Sequence, residues 1–165
     1  MTSSAFSAPS IDLPRARLVA LDPASCVSLA RAIVAMPPWS VVNYPADAMA
    51  RFLASSGDGA SRYRVEAGGL DAGAVSIRFP WLKGPYLELL ALLPPFQSQG
   101  LGASILDWFE QEGLRADARN LWVCASSFNK RALRFYERHG FKPAATLPGL
   151  VAKGYDEILL RKFPL

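Results

Sequence analysis

Hydrophobic residues recur along the chain with two spacings, one typical of helices and one typical of strands. Intervals of three and four residues place apolar side chains on one face of a helix and predict four helices. These cover residues 25–35, 45–53, 102–113 and 129–138. Alternation of apolar and polar residues, or a short continuous apolar run, predicts strands. These cover residues 17–21, 63–67, 74–79, 86–93, 121–125, 141–146 and 155–162. This element order predicts a mixed α/β fold of the α+β class, in which helices cover the faces of a mixed sheet.

The N-terminal residues follow neither spacing. Residues 1–14 are rich in Ser, Ala and Pro, and terminal segments of this composition often lack fixed structure. We therefore expect a flexible N-terminal tail over residues 1–14. A single domain is expected over residues 15–165, because a chain of 165 residues has the length of one domain.

The composition favours a folded, soluble protein. Hydrophobic residues make up 51% of the chain and charged residues 19%, which provides ample apolar material for a core. No stretch approaches the roughly 20 apolar residues of a membrane helix, and the N-terminus lacks the basic and apolar segments of a secretory signal. The cysteines, Cys26 and Cys124, are too few for a disulfide framework or a thiolate zinc site. We therefore expect free thiols, a cytoplasmic location and no membrane partner.

The charge balance is mildly basic. Eighteen Lys and Arg residues oppose 14 Asp and Glu residues, which gives a net charge of +4. This excess favours an anionic ligand, but the sequence contains no recognisable nucleic-acid-binding module. We expect no nucleic-acid partner.

The most informative stretch is a predicted strand that runs through a short loop into a helix beginning among glycines. The first amides of a helix have no internal acceptor and lie at the positive end of its dipole, so they can bind a pyrophosphate. Gly100 and Gly102 remove the side chains that would block such an approach. The dinucleotide-binding fingerprint does not fit, because Ile105 stands where a third glycine is required. The P-loop does not fit either, because no Gly-Lys pair is followed by Ser or Thr.

Two motifs stand at and beyond this loop. Residues 97–102 read Gln-Ser-Gln-Gly-Leu-Gly, and residues 129–141 carry Asn, Ala, Phe-Tyr and Gly-Phe in that order. The first is similar to the Gln/Arg-x-x-Gly-x-Gly/Ala motif, and the second to the Asn-x-x-Ala-x-x-Phe-Tyr-x-x-x-Gly-Phe segment, of the GNAT superfamily of acyl-CoA-dependent N-acyltransferases. The resemblance covers residues 63–162. It implies a GNAT-like domain with a mostly antiparallel sheet of about seven strands and about four flanking helices.

The resemblance also implies a binding site for acetyl-CoA as the acyl donor, and no metal. The loop amides would hold the pyrophosphate, and the strand backbone near Leu92 would bind the pantetheine arm. Asn129 would contact the same arm, although a plain helix N-cap would look identical in sequence. The basic residues of the last predicted helix would form a solvated surface or contact the adenosine phosphates. The candidate cofactor-binding residues are Leu92, Gln97, Ser98, Gln99, Gly100, Gly102, Ala103 and Asn129.

Tyr136 falls at the position where the family usually carries its general acid. Its hydroxyl would protonate the departing CoA thiolate. A phenol with a pKa near 10 remains protonated at neutral pH and is available for this step. The alternative is a core aromatic residue beside Phe135.

Glu88 is the candidate general base, which would remove a proton from the acceptor ammonium. It is the one charged residue within the apolar run 86–93. Alternation places it on the same face as Leu90 and Leu92, and burial beside apolar neighbours would raise its pKa toward neutrality. The alternative is a carboxylate that pairs with an arginine.

These residues lead to a hypothesis of N-acetyl transfer from acetyl-CoA to a primary amine, by direct attack in a ternary complex. A catalytically inactive acyl-CoA-binding regulatory module is the alternative. The acceptor is a small molecule or a peptide that the sequence does not identify. Trp39 and Tyr44 would line its pocket or belong to the core. A homodimer is compatible with the sequence, which does not fix the oligomeric state.

Overall fold

The computed structural model describes residues 4–165. Eight strands form one sheet in the order β1-β2-β3-β4-β5-β6-β8-β7. The helices are α1 (Pro23–Val34), α2 (Ala46–Ala54), α3 (Leu101–Arg115) and α4 (Lys130–Arg138), with a 3₁₀ turn at Pro94–Phe96. The strands are β1 (Ser10–Asp12), β2 (Arg17–Ala20), β3 (Ala60–Ala67), β4 (Leu70–Trp81), β5 (Gly84–Leu92), β6 (Leu121–Ser126), β7 (Lys142–Pro148) and β8 (Asp156–Lys162).

The sheet is antiparallel at every pairing except one. β5 and β6 run parallel, because α3 connects them and returns the chain to the same end of the sheet. The predicted fold class is confirmed, as are the four helices and the seven predicted strands. An eighth strand, β1, was not predicted.

One face of the sheet packs against α3 and α4. Val75 and Ile77 of β4 lie in this core together with Ile105 and Phe109 of α3 and Tyr136 of α4. These apolar positions of α3 recur at three- and four-residue spacing and therefore form one buried stripe. This core is the larger of the two and fixes both helices that follow the glycine-rich loop.

The opposite face packs against α1 and α2. Leu29 and Ile33 of α1 meet Leu89 and Ala91 of β5 in this second core. α1 begins at Pro23 and is capped by Asp22, whose Oδ1 accepts a hydrogen bond of 3.0 Å from the Ser25 amide. Trp39 and Tyr44 also pack against this core, as one of the two alternatives predicted.

The N-terminal segment is structured from residue 4 onward, whereas a flexible tail was expected over residues 1–14; residues 1–3 lie outside the described part. β1 pairs antiparallel with β2. Phe6 is 2% exposed and contacts the rings of Phe79, Trp108 and Phe109. The Tyr63 hydroxyl donates a hydrogen bond of 2.8 Å to the Phe6 carbonyl. Burial of one large aromatic ring therefore anchors a segment whose polar composition suggested disorder.

Within residues 4–165, none of the helices has both the length and the apolar character that crossing a membrane requires.

Replacing Phe6 by Ala is expected to lower the free energy of unfolding by about 3–5 kcal/mol, because it removes a buried ring and leaves a cavity beside α3. Urea denaturation monitored by tryptophan fluorescence measures the loss. The matched control is Leu70→Ala, since Leu70 is 63% exposed; its effect should stay within about 0.5 kcal/mol. Equal stability of Phe6→Ala and wild type would show that the N-terminal segment does not contribute to the fold.

Candidate functional site

The site begins where the two parallel strands part. β5 and β6 pair at Tyr86 with Trp122 and at Leu87 with Val123. Beyond these two pairs both strands continue in the same direction, β5 to Leu92 and β6 to Ser126, but they no longer pair with each other. Backbone groups of residues 88–92 on the β6 side therefore have no strand partner among the described residues, so they can bind an extended ligand as a strand would.

The glycine-rich loop leads from β5 into α3. Gly100 is the N-cap residue of α3 and has a φ of 83°, a conformation that glycine adopts without strain. The first backbone hydrogen bond of α3 runs from the Ser104 amide to the Gly100 carbonyl, at 3.1 Å. The amides of Leu101, Gly102 and Ala103 therefore precede the intrahelical bonds and point out of the helix N-terminus. Together with the helix dipole they can bind a pyrophosphate.

Gly102 has a second physical role. A Cβ at this position would lie 3.1 Å from Cζ of Phe135 in α4. The missing side chain thus lets the start of α3 pack closely against α4. Gly102 therefore allows close helix packing and also leaves the backbone amides accessible.

Two guanidinium groups lie against the loop. Arg131 of α4 donates to Gln97 Oε1 at 2.9 Å and to Ser98 Oγ at 2.7 Å. Arg15 donates to the Gln99 carbonyl at 2.7 Å. Both add positive charge beside the bare amides. Arg15 was not among the candidates, because it stands at the border of the predicted tail and belongs to no motif.

Other candidates are tied to their surroundings by hydrogen bonds. The Gln97 side-chain amide donates to the Leu92 carbonyl at 2.8 Å, which joins the end of β5 to the loop. The Gln99 side chain donates to the Pro95 carbonyl at 2.7 Å. Asn129 Oδ1 accepts from the Ala132 amide at 3.2 Å and caps α4. The N-cap alternative is therefore confirmed for Asn129, and a contact with the cofactor arm stays a prediction.

Tyr136 lies in the core on the α3 and α4 side. It is 6% exposed, and its ring contacts those of Phe135 and Phe141. Burial raises the pKa of its hydroxyl well above 10, and the nearby Cys124 adds to this shift. The hydroxyl is therefore protonated at neutral pH, as a proton donor must be.

Glu88 lies among arginines rather than apolar side chains. Its Oε1 accepts a hydrogen bond of 2.6 Å from Arg78 Nε, and its Oε2 accepts one of 2.8 Å from Ser76 Oγ. Arg62, which packs over the Phe52 ring, lies 3.7 Å from the same Oε2. The predicted alternative of an arginine pair is confirmed, and the role of Glu88 as a base stays a prediction.

A β-bulge explains why Glu88 does not face Leu90 and Leu92, as alternation predicted. Ser76 pairs with Leu89 and Ile77 pairs with Leu87, so Glu88 is the extra residue in β5. Leu90 and Leu92 pack against the core of α3. Glu88 instead joins Ser76 and the arginines on the face of α1 and α2, and the expected face is wrong for this physical reason.

A second carboxylate, Glu157 of β8, lies on this same face near the gap. It pairs in register with Ser126 and is 7% exposed. Its Oε1 accepts a hydrogen bond of 2.6 Å from Ser126 Oγ, and its Oε2 lies 4.0 Å from Cys124 Sγ. Burial raises the pKa of Glu157, and the Ser126 hydrogen bond opposes this effect. No pattern in the sequence singles out Glu157, since its neighbours are set by the pairing of β6 with β8.

Tyr86 marks the point where these groups converge. Its pKa is raised by burial first, and then by Cys124, Glu88, Glu157 and Tyr136, all of which lie close enough to act on it. Its ring stacks on Trp81 with centroids 4.5 Å apart. The Cys124 thiol also has its pKa raised to about 11, by burial and then by Glu157. Tyr136 on one side of the sheet and the two carboxylates on the other are thus all near enough to Tyr86 to affect its pKa.

The residues fit an acyl-CoA. Bare amides and two arginines suit its phosphates, and the free edge of β5 suits the amide groups of the pantetheine arm. Among residues 4–165, no three His, Cys, Asp or Glu side chains are grouped so that they could hold a metal ion.

The model of the acetyltransferase (GNAT) family matches residues 32–141. Among curated proteins, the chain is 25% identical over 72 residues to the uncharacterized protein YdhI of Bacillus subtilis. That match covers 44% of this chain and 45% of YdhI, so it spans less than half of the relative's length.

Solved structures extend the likeness over almost the whole chain. An acetyltransferase from Thermus thermophilus has a TM-score of 0.70 at 18% identity, with 94% of this chain and 100% of that chain covered. The ribosomal-protein-S18-alanine N-acetyltransferase from Escherichia coli has a TM-score of 0.70 at 19% identity, with 90% and 94% covered. At these identities the structures show the fold alone. Since the family model covers more than half of the sequence, the chain belongs to the acetyltransferase (GNAT) family, whose members use acyl-CoA.

Proposed function

We propose that the protein is an N-acetyltransferase that moves an acetyl group from acetyl-CoA to a primary amine. The observation that carries this proposal is the convergence of three features: the free edge of β5, the bare amides at the start of α3, and the buried hydroxyl of Tyr136. The first two can bind the donor, and the third can protonate its leaving group.

The donor would lie along the gap between β5 and β6. The amides of Gly102 and Ala103, with the loop from Gln97 to Gly100, would hold the pyrophosphate. Arg131 and Arg15 would add charge-assisted contacts to the phosphates. The backbone of Leu92 and the capping residue Asn129 would contact the pantetheine arm. The thioester would then lie near Tyr86, whose pKa is affected by groups on both faces of the sheet.

Acyl transfer requires a neutral amine and a protonated leaving group. The amine attacks the thioester carbon directly, and the bond from carbon to sulfur breaks. Tyr136 gives its proton to the departing sulfur. The acceptor would enter from the face of Glu88, Trp81 and Tyr86, because this face of the sheet beyond α1 and α2 carries the polar side chains.

The acceptor is a small molecule or a peptide with a free amine. The Escherichia coli relative named above acts on a ribosomal-protein alanine, and another structural relative is a complex of the ribosomal L7/L12 N-acetyltransferase RimL with coenzyme A. RimL has a TM-score of 0.69 at 15% identity. Both support amine acylation as the reaction class.

An acyl-CoA-binding module without catalysis is the second candidate. One observation favours it: both oxygens of Glu88, the predicted base, are engaged by Arg78 and Ser76. Saturable binding of acetyl-CoA without transfer to any amine would support this candidate over the enzyme.

Calorimetric titration is expected to show micromolar binding of acetyl-CoA and of desulfo-CoA, since the phosphates and the pantetheine arm supply the contacts. Gly102→Val should weaken binding at least tenfold, because the new side chain would meet Phe135 and displace the start of α3. Gly57→Val is the matched control, since a Cβ there meets no atom within 4 Å. Absence of binding by the wild-type protein would overturn the proposed function.

Tyr136→Phe is expected to lower kcat by about 10²–10⁴-fold, the usual contribution of a general acid. The Kd for acetyl-CoA should remain within twofold, because the ring is kept. Thiol release measures turnover, and Tyr155→Phe serves as the control for loss of a hydroxyl. A wild-type kcat in Tyr136→Phe would assign Tyr136 to the core alone.

A further inference from the structure

Glu157 is a buried carboxylate without a cationic partner. It is 7% exposed, and no Lys, Arg or His of the described chain lies within 4.0 Å of it. A buried ionised carboxylate is costly unless it is paired, so such a group usually shifts toward the neutral form or serves a function. Glu157 therefore needs a physical explanation that the fold alone does not supply.

Its two oxygens have different surroundings. Oε1 accepts the short hydrogen bond from Ser126, which fixes the orientation of the carboxylate. Oε2 has a thiol contact at 4.0 Å, to Cys124, and this is too long to satisfy a carboxylate oxygen. One oxygen is thus held in place while the other keeps its capacity to accept a proton.

Glu88 differs from Glu157 because it has cationic partners. Arg78 forms an ion pair of 2.6 Å with one of its oxygens, and Arg62 lies 3.7 Å from the other. Both oxygens of Glu88 therefore lie beside a guanidinium group, whereas neither oxygen of Glu157 does in the described chain. For Glu88 the sequence predicts burial beside apolar neighbours, with an arginine pair as the alternative. Glu157, by contrast, is 7% exposed and has no cationic partner among the described residues.

Glu157 also lies on the side of the sheet near Tyr86, beside which the thioester would lie. The charge of Glu157 contributes to the raised pKa of Cys124 in β6 and of Tyr86 in β5. Tyr136 of α4 also contributes to the raised pKa of Tyr86. From β7, the residue in register with Glu157 is Leu147, which carries no charge. The carboxylate and the proposed acid therefore approach the gap from opposite faces of the sheet.

We propose that Glu157, oriented by Ser126, is the general base that accepts the proton of the acceptor ammonium. The inference rests on the proposed function and names the base of that reaction. The ammonium gives one proton to Oε2 of Glu157, and the neutral amine attacks the thioester carbon. The bond from carbon to sulfur breaks as Tyr136 protonates the sulfur. The second proton lost from nitrogen replaces the one that Tyr136 gave, and Glu157 releases its proton to water. The products are the amide, free CoA and one proton.

The experiment compares Glu157→Gln with wild type, using 2-phenylethylamine, spermidine, L-phenylalanine and a hexapeptide with N-terminal alanine as acceptors. For the amine that the wild type acetylates best, kcat should fall about 10²–10⁴-fold, while the Kd for acetyl-CoA stays within twofold. Gln keeps an oxygen that can accept the Ser126 hydrogen bond. Denaturation midpoints check that the fold is retained, and Glu157→Asp should restore part of kcat.

The pH profile separates a base from a structural residue. A base must be deprotonated to accept a proton, and burial raises the pKa of Glu157 above the value of about 4.3 that is usual for glutamate. At pH values below this raised pKa, kcat/KM of the wild type should fall tenfold per pH unit. This acidic limb should be absent in Glu157→Gln. Asp156→Asn, an exposed neighbour on β8, should keep both the limb and kcat within twofold.

Two results would overturn the assignment. The first is a Glu157→Gln variant with wild-type kcat and an unchanged acidic limb. The second is loss of that limb in Glu88→Gln alone, which would return the role to Glu88. A wild-type protein that binds acetyl-CoA but acetylates none of the four amines would overturn the proposed enzyme itself, and this is established before any variant is made.

Discussion

The structure depends on a parallel strand pair that holds for two residues and then opens. Parallel neighbours require a crossover connection, and α3 is that connection between β5 and β6. The crossover brings the start of α3 to the end of β5 where the two strands have parted. A free strand edge and a bare helix N-terminus therefore lie side by side. Neither would bind a long, phosphorylated ligand alone, but together they match its phosphates and its amide groups.

The two faces of the sheet carry different side chains beside this opening. On the α3 and α4 side the core is mostly apolar, and Tyr136 contributes a hydroxyl from within it. On the other face α1 and α2 pack against β4 and β5, and Glu88, Tyr86 and Glu157 are not part of that apolar core. In the proposed reaction, the proton donor and the proton acceptor are thus kept apart by the sheet and act where it is open. This separation allows an acid and a base to keep opposite protonation states within one site.

The sequence predicted the elements better than the positions within them. Helix and strand periods were clear because each element has one buried face, and the glycine-rich loop and the Phe-Tyr segment identified the family. Two errors have specific causes. The bulge at Glu88 moved its side chain to the other face, and a bulge leaves no mark in an apolar run of eight residues. β1 is three residues long and is held by pairing with β2 and by burial of Phe6, neither of which a composition reveals.

Glu157 could not be identified from the sequence, for a different reason. Its partners, Ser126 and Cys124, come from a strand 31 and 33 residues away and are set by the insertion of β8 between β6 and β7. A charge near the start of a strand looks solvent-exposed when strand order is unknown. The N-terminal segment follows the same principle, since Arg15 reaches the Gln99 carbonyl across 84 residues. In this fold the motifs point to the proposed donor site. The other groups proposed for it depend on strand order, which brings distant residues toward the opening between β5 and β6.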